Sequence, residues 1–238
     1  MYEYLVEKIK SFEYKGVPVN PDIGVPASFL AGSGVPFTTA CKLRGTTQMC
    51  MDMLLDPEYV KELLSYITEA IIVRTRAWRK YLSLPEKMDP VFLGDDSCVL
   101  LSPEMYREFV MPFHKRLYEE FGTKNASRAI HLCGKAFNHF LIMGRELGVT
   151  IFDTGFPINL RELYEQLGSH IIVQGGVHVE LLRGGTEEEI VNKSREILEE
   201  LKPYKKFIFR DANSVAPLTP VSNLKAMYEA CRKYGRYQ

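Results

Sequence analysis

The chain of 238 residues carries no surplus of either charge: lysine and arginine number 30, aspartate and glutamate 30, and the formal net charge is zero. Without a basic excess, nothing drives sequence-independent binding to nucleic acid or to an anionic surface. No apolar run approaches the roughly 20 residues that span a bilayer. The opening MYEYLVEKIK lacks the order of a secretory signal. Cysteine is scarce, scattered and odd in number, at positions 41, 50, 98, 133 and 231. That pattern argues against a disulfide framework and for reduced thiols in a cytoplasm. No long linker, low-complexity tract or clear internal repeat divides the chain. With 46% hydrophobic residues, the expectation is a single cytoplasmic domain over residues 1–238, with no membrane or nucleic-acid partner.

What is present is an alternation of short apolar runs with amphipathic stretches. Residues 3–12 and 57–82 read as helices, the second opening at Asp56-Pro57. Strands are expected at 91–93, 128–132, 149–153, 170–174 and 207–209, with a weak sixth within 17–32. Helices are expected from 102 to about 121, over 136–147, 159–167 and 186–202, where Thr186 and Glu189 have capping-box spacing, and over 220–233. Such βα alternation calls for a parallel sheet covered by helices, either doubly wound or a (β/α) barrel. In both, ligands bind at the carboxyl ends of the strands. Polar residues recur there: Asp95, Asp96, His131, Cys133, Asp153, Gln174, Asp211 and Asn213.

His131-Leu132-Cys133-Gly134 is the most specific of these. A spacing of two on a strand puts imidazole and thiol on one face, and together they suit zinc. A third donor is expected from Asp95, Asp96 or Asp211, with His178 a weaker candidate. Asp95-Asp96 also reads as an acid/base pair of which one member enters the pocket, or as a helix cap. Asp153, Gln174 and Asn213 read as pocket lining. Gly175-Gly176 lacks dinucleotide spacing and reads as a tight turn into a helix. Met49, Met51 and Met53 read as core.

Five stretches, in order, resemble the uroporphyrinogen decarboxylase superfamily: Val35-Pro36-Phe37-Thr38-Thr39-Ala40 with Leu43-Arg44-Gly45; Gly94-Asp95-Asp96 with Leu101-Ser102-Pro103-Glu104; His131-Leu132-Cys133-Gly134; Gly175-Gly176-Val177; and Thr219-Pro220 with Asn223-Leu224. The closer likeness is to its cobalamin-dependent methyltransferase branch, which moves methyl groups between corrinoid proteins and thiols such as coenzyme M. The resemblance implies a (β/α) TIM-type barrel of which the first strands are missing here. It implies a zinc-assisted methyltransferase with a corrinoid presented by a partner protein and a small thiol acceptor. It also implies a third, cysteine ligand six residues before Thr219, where this chain has Asn213. Two alternatives stand beside it. One is uroporphyrinogen decarboxylation, disfavoured because the family's substrate-gripping arginine and aspartate lie in the missing part. The other is a non-catalytic subunit or binding module of the same fold. An incomplete barrel leaves strand edges bare, so a homodimer or a completing subunit is expected.

Overall fold

The computed structural model describes residues 34–236, together with residue 7 and two short strands, β1 (Glu13–Tyr14) and β2 (Val17–Pro18). The expected helix over 3–12 lies almost wholly outside the described residues. β1 and β2 pair only with each other, antiparallel, and so are no sixth strand of the main sheet; the rest of 17–32 lies outside the described residues.

The main sheet has five strands: β3 (Val91–Gly94), β4 (Arg128–Leu132), β5 (Val149–Thr154), β6 (Ile172–Val177) and β7 (Phe207–Asp211). They lie side by side in chain order and every pairing is parallel. A doubly wound sheet needs a reversal of strand order; this one has none. Right-handed crossovers in an unreversed parallel sheet place all the helices on one face, which is the winding of a (β/α) barrel. Among the described residues the barrel is open rather than closed.

Register explains the two faces. Leu93, Ile130, Phe152 and Val173 form one row across the sheet and all are fully buried. Gly94, His131, Asp153, Gln174 and Ile208 form the next row, on the opposite face. In a barrel that face turns inward. Here it carries the polar groups of the carboxyl end and leaves Ile208 half exposed.

The helices follow from local signals. α1 (Phe37–Arg44) and α2 (Thr46–Leu55) were not anticipated from periodicity. α3 (Pro57–Tyr81) starts at the Asp56 cap, whose carboxylate accepts the Tyr59 N–H, with Pro57 in the first turn. Its Val60, Leu64, Ile67, Ile71 and Ile72 recur at helical spacing and are buried. The segment from 102 to 121 is broken: a short turn at Pro103–Met105, a π segment at Tyr106–Val110, then α4 (Met111–Phe121). Pro112 has no N–H to donate, which interrupts the ladder there. α5 (Phe137–Glu146), α6 (Leu160–Leu167), the short α7 (Val179–Gly184), α8 (Glu187–Leu201) and α9 (Val221–Tyr234) complete the set. The Thr186–Glu189 capping box at the start of α8 is formed as its spacing predicts. Met49 and Met53 are core, whereas Met51 is exposed. No helix among the described residues is long and apolar enough to cross a membrane.

The glycine pair corrects an expectation. Gly175 and Gly176 lie inside β6, not in a turn after it. A Cβ at Gly175 would sit 2.5 Å from Thr154 Oγ1, and one at Gly176 would sit 2.0 Å from the Arg210 carbonyl. They are glycines because the flanking strands approach too closely for a side chain.

Candidate metal centre

The carboxyl ends of β3 and β4 bring three donors together. Asp96 Oδ1, His131 Nε2 and Cys133 Sγ all lie within 4.8 Å of one another. His131 Nε2 is 3.1 Å from Cys133 Sγ and 3.5 Å from Asp96 Oδ1. Asp96 Oδ1 also accepts the Cys133 N–H at 2.8 Å, which ties the loop after β3 to the end of β4. Close packing here depends on Gly155: a Cβ there would meet Cys133 Cα at 2.7 Å and Sγ at 2.9 Å.

The other nitrogen of His131 faces a carboxylate. Nδ1 is 3.2 Å from Asp153 Oδ2, an ion-pair distance, yet Nδ1 is buried without an aligned hydrogen bond. The contact is therefore electrostatic. Asp153 Oδ1 accepts from Arg210 Nη1 at 3.2 Å, and Arg210 Nη2 donates to the Asn213 carbonyl at 2.9 Å. A chain of polar contacts thus runs from the loop after β7, across β6, to the ring of His131. Burial alone pushes the His131 pKa down, but Asp153 and Cys133 outweigh it and raise the pKa to about 10. To ligate an ion, Nε2 must give up its proton, so an ion and a proton compete for that nitrogen.

The donor set fits zinc. Imidazole, thiolate and carboxylate are all zinc ligands, and three of them leave one position open. A carboxylate behind the non-ligating nitrogen fixes the orientation of such a histidine. The Asp96 side chain is half exposed, so the cluster faces outward.

Other expected residues are placed elsewhere. Asp95 is not at this site. It is fully buried and turned the opposite way, as adjacent residues in an extended segment are. Its carboxylate accepts the N–H groups of Phe37 (3.0 Å) and Thr38 (2.6 Å) at the start of α1, and pairs with His114 Nε2 at 3.0 Å. Burial would raise its pKa, but His114 and Thr38 outweigh that and hold it low. His178 is also not among the clustered donors: it caps α7, its Nδ1 accepting the Glu180 N–H at 3.0 Å, with its ring against Phe156. Asp211 does not join the cluster; one of its oxygens is 3.9 Å from Arg210 Nε and the other is buried without a partner. Gln174 stands in the same row as His131 and Asp153. Asn213 is exposed and serves through its carbonyl. Arg210 was missed in the sequence. Its signal was a lone cation at the end of an apolar strand, FIFRD.

A family model described as uroporphyrinogen decarboxylase matches residues 22–234. The chain belongs to the uroporphyrinogen decarboxylase family. Among curated members, a methylated-thiol–coenzyme M methyltransferase of Methanosarcina mazei is 28% identical over 201 residues, covering 83% of this chain and 51% of that protein. A methylcobamide:CoM methyltransferase of Methanosarcina acetivorans is 22% identical over 201 residues, covering 84% of this chain and 56% of the relative. A uroporphyrinogen decarboxylase of Nocardia farcinica is 28% identical over 159 residues, 64% of this chain and 43% of that one. The chain therefore spans about half the length of the curated family members it matches. A solved methyltransferase from Methanosarcina mazei shares the fold, with a TM-score of 0.71 at 19% identity over 98% of this chain and 65% of that one.

Proposed function

We propose that this family member transfers a methyl group between a corrinoid carried by a partner protein and a small thiol, with a zinc ion held by Asp96, His131 and Cys133. The observation that carries the proposal is the convergence of those three donors at the carboxyl edge of the sheet, with His131 backed by Asp153. Asp96 here supplies the third ligand that the resemblance assigned to a cysteine and that Asn213 cannot provide. The names of the two methanogen relatives point the same way, toward methyl transfer among thiols, coenzyme M and methylcobamide.

Bound there, zinc would hold the substrate thiol as its nucleophilic thiolate. The chain's own groups have distinct tasks. Asp153 and Arg210 fix the His131 ring so that Nε2 faces the cluster. Asp96 pins the Cys133 backbone and keeps an oxygen on the open side. In the overall reaction the thiol loses its proton to water, and its sulfur bonds to the methyl carbon. The cobalt–carbon electron pair stays with the corrinoid. Apolar side chains stand exposed on the loops around this edge: Leu100 after β3, Phe156 after β5, and Val215 and Leu218 after β7. An apolar rim about an open polar site suits a partner that presents a large ring system.

The test is zinc content and methyl transfer from methylcobalamin to coenzyme M, measured on the full chain and on His131→Ala, Cys133→Ala and Asp96→Ala. The expected result is stoichiometric zinc and activity in the unaltered chain, with both lost in the first two variants. A chain that takes up no zinc, or a Cys133→Ala variant with full activity, contradicts the proposal. Release of carbon dioxide from uroporphyrinogen would assign the chain to the decarboxylase branch instead.

A further inference from the structure

α5 carries a buried titratable group that the proposed reaction does not use. His139 is 4% exposed, and both of its ring nitrogens are buried without a hydrogen-bond partner. Burying polar groups unpaired costs stability. The ring stands edge-on to Tyr106, with 5.6 Å between centroids. The Tyr106 hydroxyl is engaged elsewhere, with His114 Nδ1 at 3.0 Å. α5 packs on the Pro103–Met105 turn, β5 and α6. Among the described residues, Tyr106 is the titratable side chain that faces His139, and burial holds its phenol neutral. No carboxylate or cation acts on His139 from these elements; the Leu101 backbone beside it favours the protonated ring, but burial outweighs it. The Arg107–Glu146 pair, which bridges the π segment and the end of α5, is half exposed. A proton gained at His139 therefore meets no counter-charge.

The position of His139 gives this a consequence. Asp96 opens the 3₁₀ turn Asp96–Leu100, which ends at Leu101. α5 begins at Phe137, shortly after Cys133-Gly134. His139 thus sits where the segment that carries Asp96 meets the helix that follows Cys133. The direct tie between these two sides is the Cys133 N–H bond to Asp96 Oδ1, at 2.8 Å. What faces α5 here is irregular, a short turn and then the π segment Tyr106–Val110. Parting them from α5 leaves the sheet intact, so local opening costs less than unfolding.

We infer that His139 is an acid-sensitive latch: when its ring takes up a proton, the Leu101–Tyr106 segment parts from α5, and the Asp96 side of the donor cluster loosens from the Cys133 side. The opening needs only this chain; its effect on a bound metal rests on the function proposed above. The sign follows from the two states. In the parted state the ring is in water and titrates near 6.5, whereas in the closed state it stays neutral. Opening is therefore unaffected above pH 6.5 and favoured below it, by at most about tenfold one pH unit lower.

The experiment is hydrogen exchange, read by mass spectrometry, on the metal-free full chain beside His139→Phe and His139→Gln, at about pH 7.5 and about pH 5.5. Comparison at equal pH cancels the intrinsic exchange chemistry, and circular dichroism confirms that each variant is folded; either one that folds carries the comparison. On acidification the unaltered chain should lose protection severalfold relative to the variants over residues 97–106 and 133–143, including the Cys133 amide. β4, β5 and β6 should keep theirs. Equal protection in the unaltered chain and the variants at the lower pH overturns the inference. So does a loss shared by the whole sheet, which is global unfolding. If the segments open as expected but zinc binds at no pH, the latch stands and the proposed metal centre falls.

Discussion

Two clusters in this molecule have the same composition, one aspartate, one cysteine and one histidine, and opposite situations. Asp95, Cys98 and His114 are sealed, each with no exposed surface. Asp96, His131 and Cys133 are open to solvent on the carboxyl edge. In the sealed cluster the histidine and the carboxylate are satisfied by protein. His114 Nε2 faces two acceptors, Asp95 and the Val35 carbonyl, and Nδ1 meets the Tyr106 hydroxyl. Burial also drives the Cys98 thiol well above its ordinary pKa, so it stays protonated. In the open cluster the three donors converge on one another at an accessible edge. Donor type alone does not distinguish a structural cluster from a binding one; hydrogen-bond saturation and access do.

The comparison breaks first at the adjacent carboxylates. Asp95→Ala removes one partner of a buried pair and uncaps α1, and should cost about 3–5 kcal/mol of stability. Asp96→Ala, half exposed, should change stability by about 0.5 kcal/mol or less. Urea unfolding of the two variants measures the contrast; equal losses would mean the two sites do not differ as described. Next come the cysteines. Cys133→Ala should abolish zinc binding, whereas Cys98→Ala should leave zinc content intact, by metal analysis after dialysis. A smaller effect is expected one contact further out. Arg210→Ala or Asp153→Asn should weaken zinc affinity about 10–100-fold with little loss of fold, as removal of an orienting partner does. Competition with a chelator reads this out, and Arg210→Lys should recover part of the loss.

The smallest effect concerns pH and the sealed side. His139 is buried against Tyr106, and neither ring nitrogen has a hydrogen-bond partner. Burial lowers its pKa below 6.5, and the nearby Leu101 backbone offsets only part of this. The unfolded chain then binds the proton more readily than the folded one. This contribution to stability is complete above pH 6.5 and is lost as pH falls below it. His139→Phe should flatten the stability profile below pH 6.5. An unchanged slope, by thermal melts across that range, would exclude His139 as its source.

Much of the fold was legible because the βα alternation is written in local periodicity. His131 and Cys133 were legible as a pair because a spacing of two on a strand fixes their common face. The choice between a barrel and a doubly wound sheet was legible only through the ordered family motifs, because strand order is a tertiary property that local periodicity does not carry. Asp95 and Asp96 could not be told apart by sequence. Their opposite fates follow from α1, whose amide groups claim Asp95 and leave Asp96 outward, and α1 itself has no strong apolar period. The reach of Arg210 to Asp153 crosses an entire strand, and no spacing rule records that.

Anomalous diffraction at the zinc edge, on crystals of the zinc-incubated chain, tests the central claim most directly. The account predicts one peak among Asp96 Oδ1, His131 Nε2 and Cys133 Sγ. No peak there, or a peak within the sealed Asp95, Cys98 and His114 cluster, would contradict it.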